Sequence, residues 1–329
     1  MRLLKAILRR ALQLLIVIFL VTAATFLLSS LIPGDFFTGY QLDPTIRAET
    51  IRQMRHSYGF DLPVHQQYIH WLKNLAQFDL GYSLFFRASV RSIVLQALSR
   101  TLWLGIPALI LGMCGGILLG TLHALKRDRP AGHVLDFAFT VALSLPSIVL
   151  GLAALLFAAQ THWFPLGSMS SSNLQEPGLW RWFADRLHHL ALPVLCLTVP
   201  IMASVERIQF AATRTSLSGL FVRSAKARGL GSARIFFQYV LRPALNPILS
   251  TSGPMIGGVL SGSLVLEIIF SWPGLGQITY DALFNRDLFL LVGCVVGSGL
   301  LLIVGNLAAD LLLFVLDPRT RQIQGKVPS

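Results

Sequence analysis

Apolar residues run through six stretches of the 329-residue chain, at about 11–32, 101–122, 135–158, 190–206, 243–270 and 288–316. Most of them reach the roughly 20 residues needed to cross the hydrocarbon core of a bilayer. An open strand edge in lipid would leave backbone groups unpaired, so these stretches predict helices. The fourth is short, and the fifth is interrupted by Pro247 and Pro254. The fold class predicted is an all-α integral membrane protein with six transmembrane helices. The first stretch has the basic start of a signal peptide, Arg2, Lys5, Arg9 and Arg10. Its apolar run exceeds the usual length of about 7–15 residues, and no small-x-small cleavage site follows, so it reads as an uncleaved span.

Between the first two spans lies the polar segment 33–100, too long for a turn. It predicts helices over Thr45–Tyr58 and Pro63–Gln77, with Pro63 suited to a first helical position. Tyr68, Trp71, Leu72 and Leu75 recur at spacings of three, four and seven, which predicts a stripe packed on the bundle. The segment therefore reads as a helical external cap. Within the spans, small residues recur every four positions: Gly112, Gly116 and Gly120; Gly253 and Gly257; Gly258 and Gly262; Gly293 and Gly297. Lipid tails give helices no hydrophobic reason to associate, so close backbone approach through such stripes supplies the attraction.

Charge then orients the chain. Seventeen of the 27 Lys and Arg residues lie on one side: the N-terminus, the 123–134 loop, the 207–242 loop and the tail after Asp317. Long translocated loops count little in the positive-inside rule, so both termini are expected in the cytoplasm. The net charge of +12 thus has a topological cause and does not point to nucleic acid. Cys114, Cys196 and Cys294 sit inside apolar spans at no metal spacing and read as packing residues.

Chemistry is sparse. The chain has no Gly-x-Ser-x-Gly, His-Glu-x-x-His, Cys-x-x-Cys or phosphate-loop motif. His188 and His189 are adjacent, so they point to different sides of a helix and suit interfacial anchoring. Asp136, Glu206 and Glu267 fall near span ends, where water is close. Asp310 lies deeper, four residues after Asn306, and the two share a helix face as a hydrogen-bonded pair.

One basic segment stands apart, Phe221–Arg242. Ala225 to Arg228 favour helix, Gly229 can end it in a left-handed turn, and Ser232 suits the N-cap of a second helix. The result is a protruding knob. Its Arg223-Ser-Ala-Lys-Ala-Arg-Gly229, with Leu230 next and Leu241 later, resembles the Glu-Ala-Ala loop of permease subunits of bacterial ABC importers. Arg223 stands for the Glu and Ser224 for the first Ala, while Ala225 and Gly229 match. Tyr239 replaces Ile, and Pro243 comes one place late. These departures are similar to the dipeptide, oligopeptide and nickel branch. So are Leu31-Ile-Pro-Gly-Asp35, Gly59-Phe-Asp-Leu-Pro63, Asp79-Leu-Gly81, Ser144-Leu-Pro-Ser147, Trp272-Pro-Gly-Leu-Gly276 and Asp317-Pro-Arg319.

The resemblance implies a type I importer fold, with a B-type permease that carries the long first external loop. It implies a partner permease, two cytoplasmic ATP-binding subunits that hold ATP and magnesium, and an extracytoplasmic substrate-binding protein. This chain would bind no cofactor or metal and catalyse no reaction, and lipid would surround it. The knob residues Arg223, Ser224, Ala225, Arg228, Gly229, Leu230 and Leu241 would couple to the ATPases. Glu267, Trp272, Pro273, Gly274, Asn306 and Asp310 would serve gating or packing. The expected organisation is 1–32 as N-terminal end and first span, 33–100 as external segment, 101–316 as five-helix core including loop 207–242, and 317–329 as cytoplasmic tail. Expected cargo is di- or oligopeptide, with nickel, glutathione or glycosides as alternatives. The rival class is an ion-coupled secondary carrier, which would need inverted repeats and several buried carboxylates that the chain does not display.

Overall fold

The computed structural model describes residues 2–31, 34–38, 47–171 and 178–316. The predicted tail 317–329 and the predicted helix start at Thr45 lie outside the described residues, as does the side chain of Asp310. The chain divides into two compact units, residues 1–101 with 273–303, and residues 102–272 with 304–329.

In the first unit, α1 (Arg2–Leu31) is followed by α2 (Ala48–Ser57) and packs against α3 (Val64–Leu75), with Pro63 as the N-cap of α3. The predicted stripe packs as expected: Trp71 is buried with Phe26, Val292 and Val296, flanked by Tyr68, Leu72 and Leu75. Tyr68 also donates its hydroxyl to the Phe19 carbonyl of α1 at 2.9 Å. A small hairpin follows, β1 (Tyr82–Ser83) and β2 (Ala88–Ser89), antiparallel with Tyr82 opposite Ser89. No strand was expected here. Its anchor is the buried Asp287, whose Oδ2 accepts from Ser83 Oγ at 2.7 Å and from the Phe85 amide at 3.1 Å. Oδ1 of the same carboxylate accepts from the Leu290 amide at 3.2 Å, capping a later helix.

Helix α4 (Val90–Leu125) begins in this unit and continues into the second. Its 36 residues extend for about 54 Å at 1.5 Å per residue. The second unit continues with α5 (Pro130–Ser144), α6 (Ser147–Thr161), α7 (Leu179–Ser218) and α8 (Leu220–Ala227). Then come α9 (Ser232–Arg234), a π-helical stretch (Ile235–Leu241), α10 (Arg242–Ala244) and α11 (Asn246–Ile269). In the first unit again, α12 (Leu275–Phe284) leads to α13 (Leu288–Leu316), whose last turns return to the second.

Among the described residues, three helices are long and apolar enough to cross a membrane, two bent pairs qualify if each counts as one span, and Leu15–Leu31 is a shorter apolar stretch. The stretch at 135–158 is not one continuous helix. Helices α5 and α6 meet at 102° around Leu145–Pro146. Proline lacks an N–H and forces the residue before it out of helical geometry, and Leu145 is accordingly extended at φ −84°, ψ 119°. The fourth span is longer than expected, because α7 carries helix through the polar flanks of 190–206 and keeps Pro193 and Pro200 inside it.

The glycine stripe of α4 does what its spacing predicts. A methyl group placed on Gly112, Gly116 or Gly120 would sit within 2.6 Å of Ile201, Val205 or the Glu206 carbonyl of α7. The helices thus touch backbone to side chain. Elsewhere Gly293 and Gly297 admit Val90 and Val94, and Gly262 admits Leu197. Cys196 and Cys294 are buried as expected, but Cys114 is exposed, since it lies off the glycine face of α4.

Gly116→Val should therefore destabilise by about 1–3 kcal/mol through overpacking, read as a lowered Tm in detergent. Gly258→Ala, where no atom lies within 4 Å, should leave Tm unchanged or slightly raised.

Candidate functional site

The knob is built from its own small core. Helix α8 presents Val222 and Ala225 inward, where they meet Ile235 and Val240 of the π-helical stretch, with Leu217, Leu230 and Tyr239 alongside. Arg223, Ser224, Lys226 and Arg228 remain exposed on its outer face. Leu220 is 76% exposed, so an apolar side chain stands beside these cations.

Gly229 closes α8. Its φ is +71°, its N–H bonds the Lys226 carbonyl at 2.9 Å, and the Leu230 N–H returns to the Ala225 carbonyl at 3.3 Å. These two bonds satisfy the last carbonyls of α8 in a Schellman arrangement. Leu230 then tucks into the knob core, so the turn is fixed by backbone and apolar contact together. The expectation that Ser232 caps the next helix is corrected. Gly231 takes the N-cap position and no side chain bonds there. Leu241 ends the π-helical stretch, and Pro243, lacking an N–H, follows in the first turn of α10.

The knob hangs directly from α7, separated from it only by Gly219. Along the knob-proximal end of α7 lies a polar cluster that the sequence did not reveal. Glu206 was expected near water, yet it is 0% exposed, and its Oε1 lies 2.6 Å from Nδ1 of His123 on α4. His123 is also buried, and Phe210 stacks on its ring with centroids 4.1 Å apart. One turn along, Gln209 donates from Nε2 to Thr121 Oγ1 at 3.0 Å and to Thr213 Oγ1 at 3.2 Å. Arg207 turns away to the exposed side, where it pairs with Asp136 and Thr140 of α5.

The other predicted positions are scattered. Glu267 is fully buried rather than near water, and its carbonyl accepts from the Trp272 amide at 2.8 Å. Trp272 lies in the second unit's main core with Leu104, Leu197 and Phe270. In the first unit, the Pro273 carbonyl accepts from Arg100 at 3.4 Å, and Gly274 precedes α12, whose Leu275 amide bonds Thr101 Oγ1 at 2.8 Å. Asn306 Oδ1 faces Gly253, where an added methyl would approach it to 3.1 Å. His188 is exposed and His189 is buried, so the two adjacent rings have different surroundings. His188 bonds the Trp163 carbonyl at 2.7 Å, and the buried His189 bonds the Asp185 carbonyl at 2.9 Å. Among the described residues no group of three His, Cys, Asp or Glu side chains could hold a metal ion.

Residues 116–322 match the family described as binding-protein-dependent transport system inner membrane component, and residues 3–105 match its N-terminal companion. The chain belongs to this family. Among relatives, it is 32% identical over 315 residues to the oligopeptide transport system permease protein AppB of Bacillus subtilis, covering 95% of this chain and 98% of that one. It is 32% identical over 320 residues to OppB of Escherichia coli K12, covering 97% and 99%. To the di/tripeptide transport system permease protein DppB of Pseudomonas aeruginosa it is 33% identical over 322 residues, covering 92% and 94%. Its fold resembles a chain of the inward-facing MetNI methionine ABC transporter, with a TM-score of 0.54, 16% identity, and coverage of 68% of this chain and 96% of that one. This inner membrane component is thus a member of a transport family whose fold is a known helical permease fold, and the knob lies inside the matched region.

A positive φ costs a branched side chain about 1–2 kcal/mol. Gly229→Val should therefore speed amide exchange across 222–228 in hydrogen-exchange mass spectrometry, while Gly229→Asn, which tolerates this geometry, should retain most protection.

Proposed function

We propose that this chain is the permease subunit of an ATP-driven importer of di- or oligopeptides. The observation that carries this reading is the knob α8–Gly229–Leu230, fixed by its own core and presenting Arg223, Lys226 and Arg228 to solvent at the end of α7. Near full-length similarity to relatives named for oligopeptide and di/tripeptide transport supports the cargo class.

In this reading the chain pairs with a second permease and receives cargo from an extracytoplasmic binding protein. Two cytoplasmic subunits bind ATP and magnesium, and this chain contributes no catalytic group. Both termini and the knob face the cytoplasm, in line with the distribution of Lys and Arg. A short helix bearing three cations and an exposed Leu220 suits a cleft with an acidic rim and an apolar floor. Closure of the ATPases displaces the knob, and the displacement enters the membrane along α7. Transport then follows from the difference in cargo affinity between two packings of the helices, with no covalent step.

The decisive test reconstitutes this chain in liposomes with its partner permease, ATP-binding subunits and binding protein. ATP-dependent uptake of a labelled tripeptide is expected, and none without nucleotide. Gly229→Val should leave this chain inserted yet cut both uptake and ATPase co-purification by roughly tenfold. Uphill uptake by this chain alone, without ATP, would overturn the reading.

A further inference from the structure

We propose that His123 and Glu206 are positioning residues for transport, clasping α4 to α7 so that both helices move as one lever when the knob is displaced. The inference rests on the coupling reading above and deepens it. It starts from a mismatch between two kinds of contact along one helix pair. From Gly112 to Gly120 the contact is smooth: glycines of α4 receive Ile201, Met202 and Val205, and the described residues show no hydrogen bond between the helices until Thr198 Oγ1 reaches the Ala108 carbonyl at 3.5 Å, beyond the far end of this face. Such a face holds helices close but offers little resistance to a small axial slide. At Thr121 and His123 the contact changes character, with His123 against Glu206 at 2.6 Å and Thr121 against Gln209 at 3.0 Å.

These bonds are directional and dry. Glu206 Oε2 has no hydrogen-bond partner among the described residues, and its nearest cation, Arg207 Nε, is 3.9 Å away. A slide of an ångström or two would strip Oε1 of its partner as well, leaving a buried carboxylate and a buried imidazole both unsatisfied. An apolar pair of similar volume would pack these helices as tightly, so a polar pair adds register rather than adhesion. Its place is telling. Glu206 lies on the knob-proximal half of α7, with His123 near the end of α4, and Phe210 and Arg127 extend the contact with a ring stack and a cation 5.9 Å above the Phe210 ring. Motion delivered at Gly219 therefore meets the clasp before it meets the glycine face.

The test locks the same two helices covalently at a place outside the clasp. A Cβ built on Gly115 lies 3.5 Å from Met202 Cγ, where a cysteine sulfur would sit, so Gly115→Cys with Met202→Cys suits a disulfide. Cys114, Cys196 and Cys294 are replaced by Ala in the same chain, and the full complex is reconstituted with its binding protein. Equal ATP-dependent peptide uptake in the oxidised and reduced forms is expected. Uptake that stops on oxidation and returns on reduction would show that α4 and α7 must slide, and would overturn the proposal. In a second arm, Glu206→Leu should lower uptake roughly tenfold in an assembled complex, and the disulfide should restore most of it. Normal uptake by Glu206→Leu, or a defect the disulfide leaves untouched, would also overturn it. Failure of the coupling reading looks different: the unmodified complex would lack ATP-dependent uptake or bound ATPase subunits.

Discussion

The structure depends on the close approach of α4 and α7. In a bilayer there is no water to expel from between two apolar helices, so contact has to come from shape. Three glycines at four-residue spacing give α4 a flat track, and Ile201, Val205 and Glu206 occupy it without a side chain in the way. Much of the second unit follows from that contact. Helix α7 carries the residues that build the main core with Leu104, Leu266, Phe270 and Trp272. The same helix ends one residue before the knob. A single helix therefore joins the glycine-faced contact with α4 to the basic knob.

Three polar contacts sit where bending or slippage would otherwise occur. Asp287 ties the hairpin to the start of α13 through three bonds. The Gly229 turn uses two backbone bonds to end α8 and a buried Leu230 to hold the direction of exit. His123 and Glu206 do the same for two long helices. In each case apolar packing brings the elements together and a few directional bonds set how they meet.

Much of this was legible in residue patterns. Tyr68, Trp71 and Leu72 announced the buried stripe of α3 because helical periodicity is local, and Gly229 announced its turn because glycine after a run of helix formers tolerates positive φ. The glycine stripe of α4 revealed a contact face, though not its partner. What escaped was long-range or masked by composition. His123 and Glu206 are 83 residues apart, and neither looks unusual near the end of an apolar run. The break at Pro146 was hidden because hydropathy averages straight across it. Asp287 carried no signal, since an acid after a polar turn is commonplace until the fold returns it to Ser83.

The corner between α5 and α6 carries a consequence for how the chain lives in a membrane. Residues 143–146 are exposed on this chain, although they join two helices rich in Leu, Val and Ala. Acyl chains offer nothing to the peptide groups at such an elbow, and irregular backbone at bilayer depth survives only against protein or water. Placed at bilayer depth, such an elbow would need protein or water against its exposed peptide groups. A solitary copy adrift in lipid would carry an open seam.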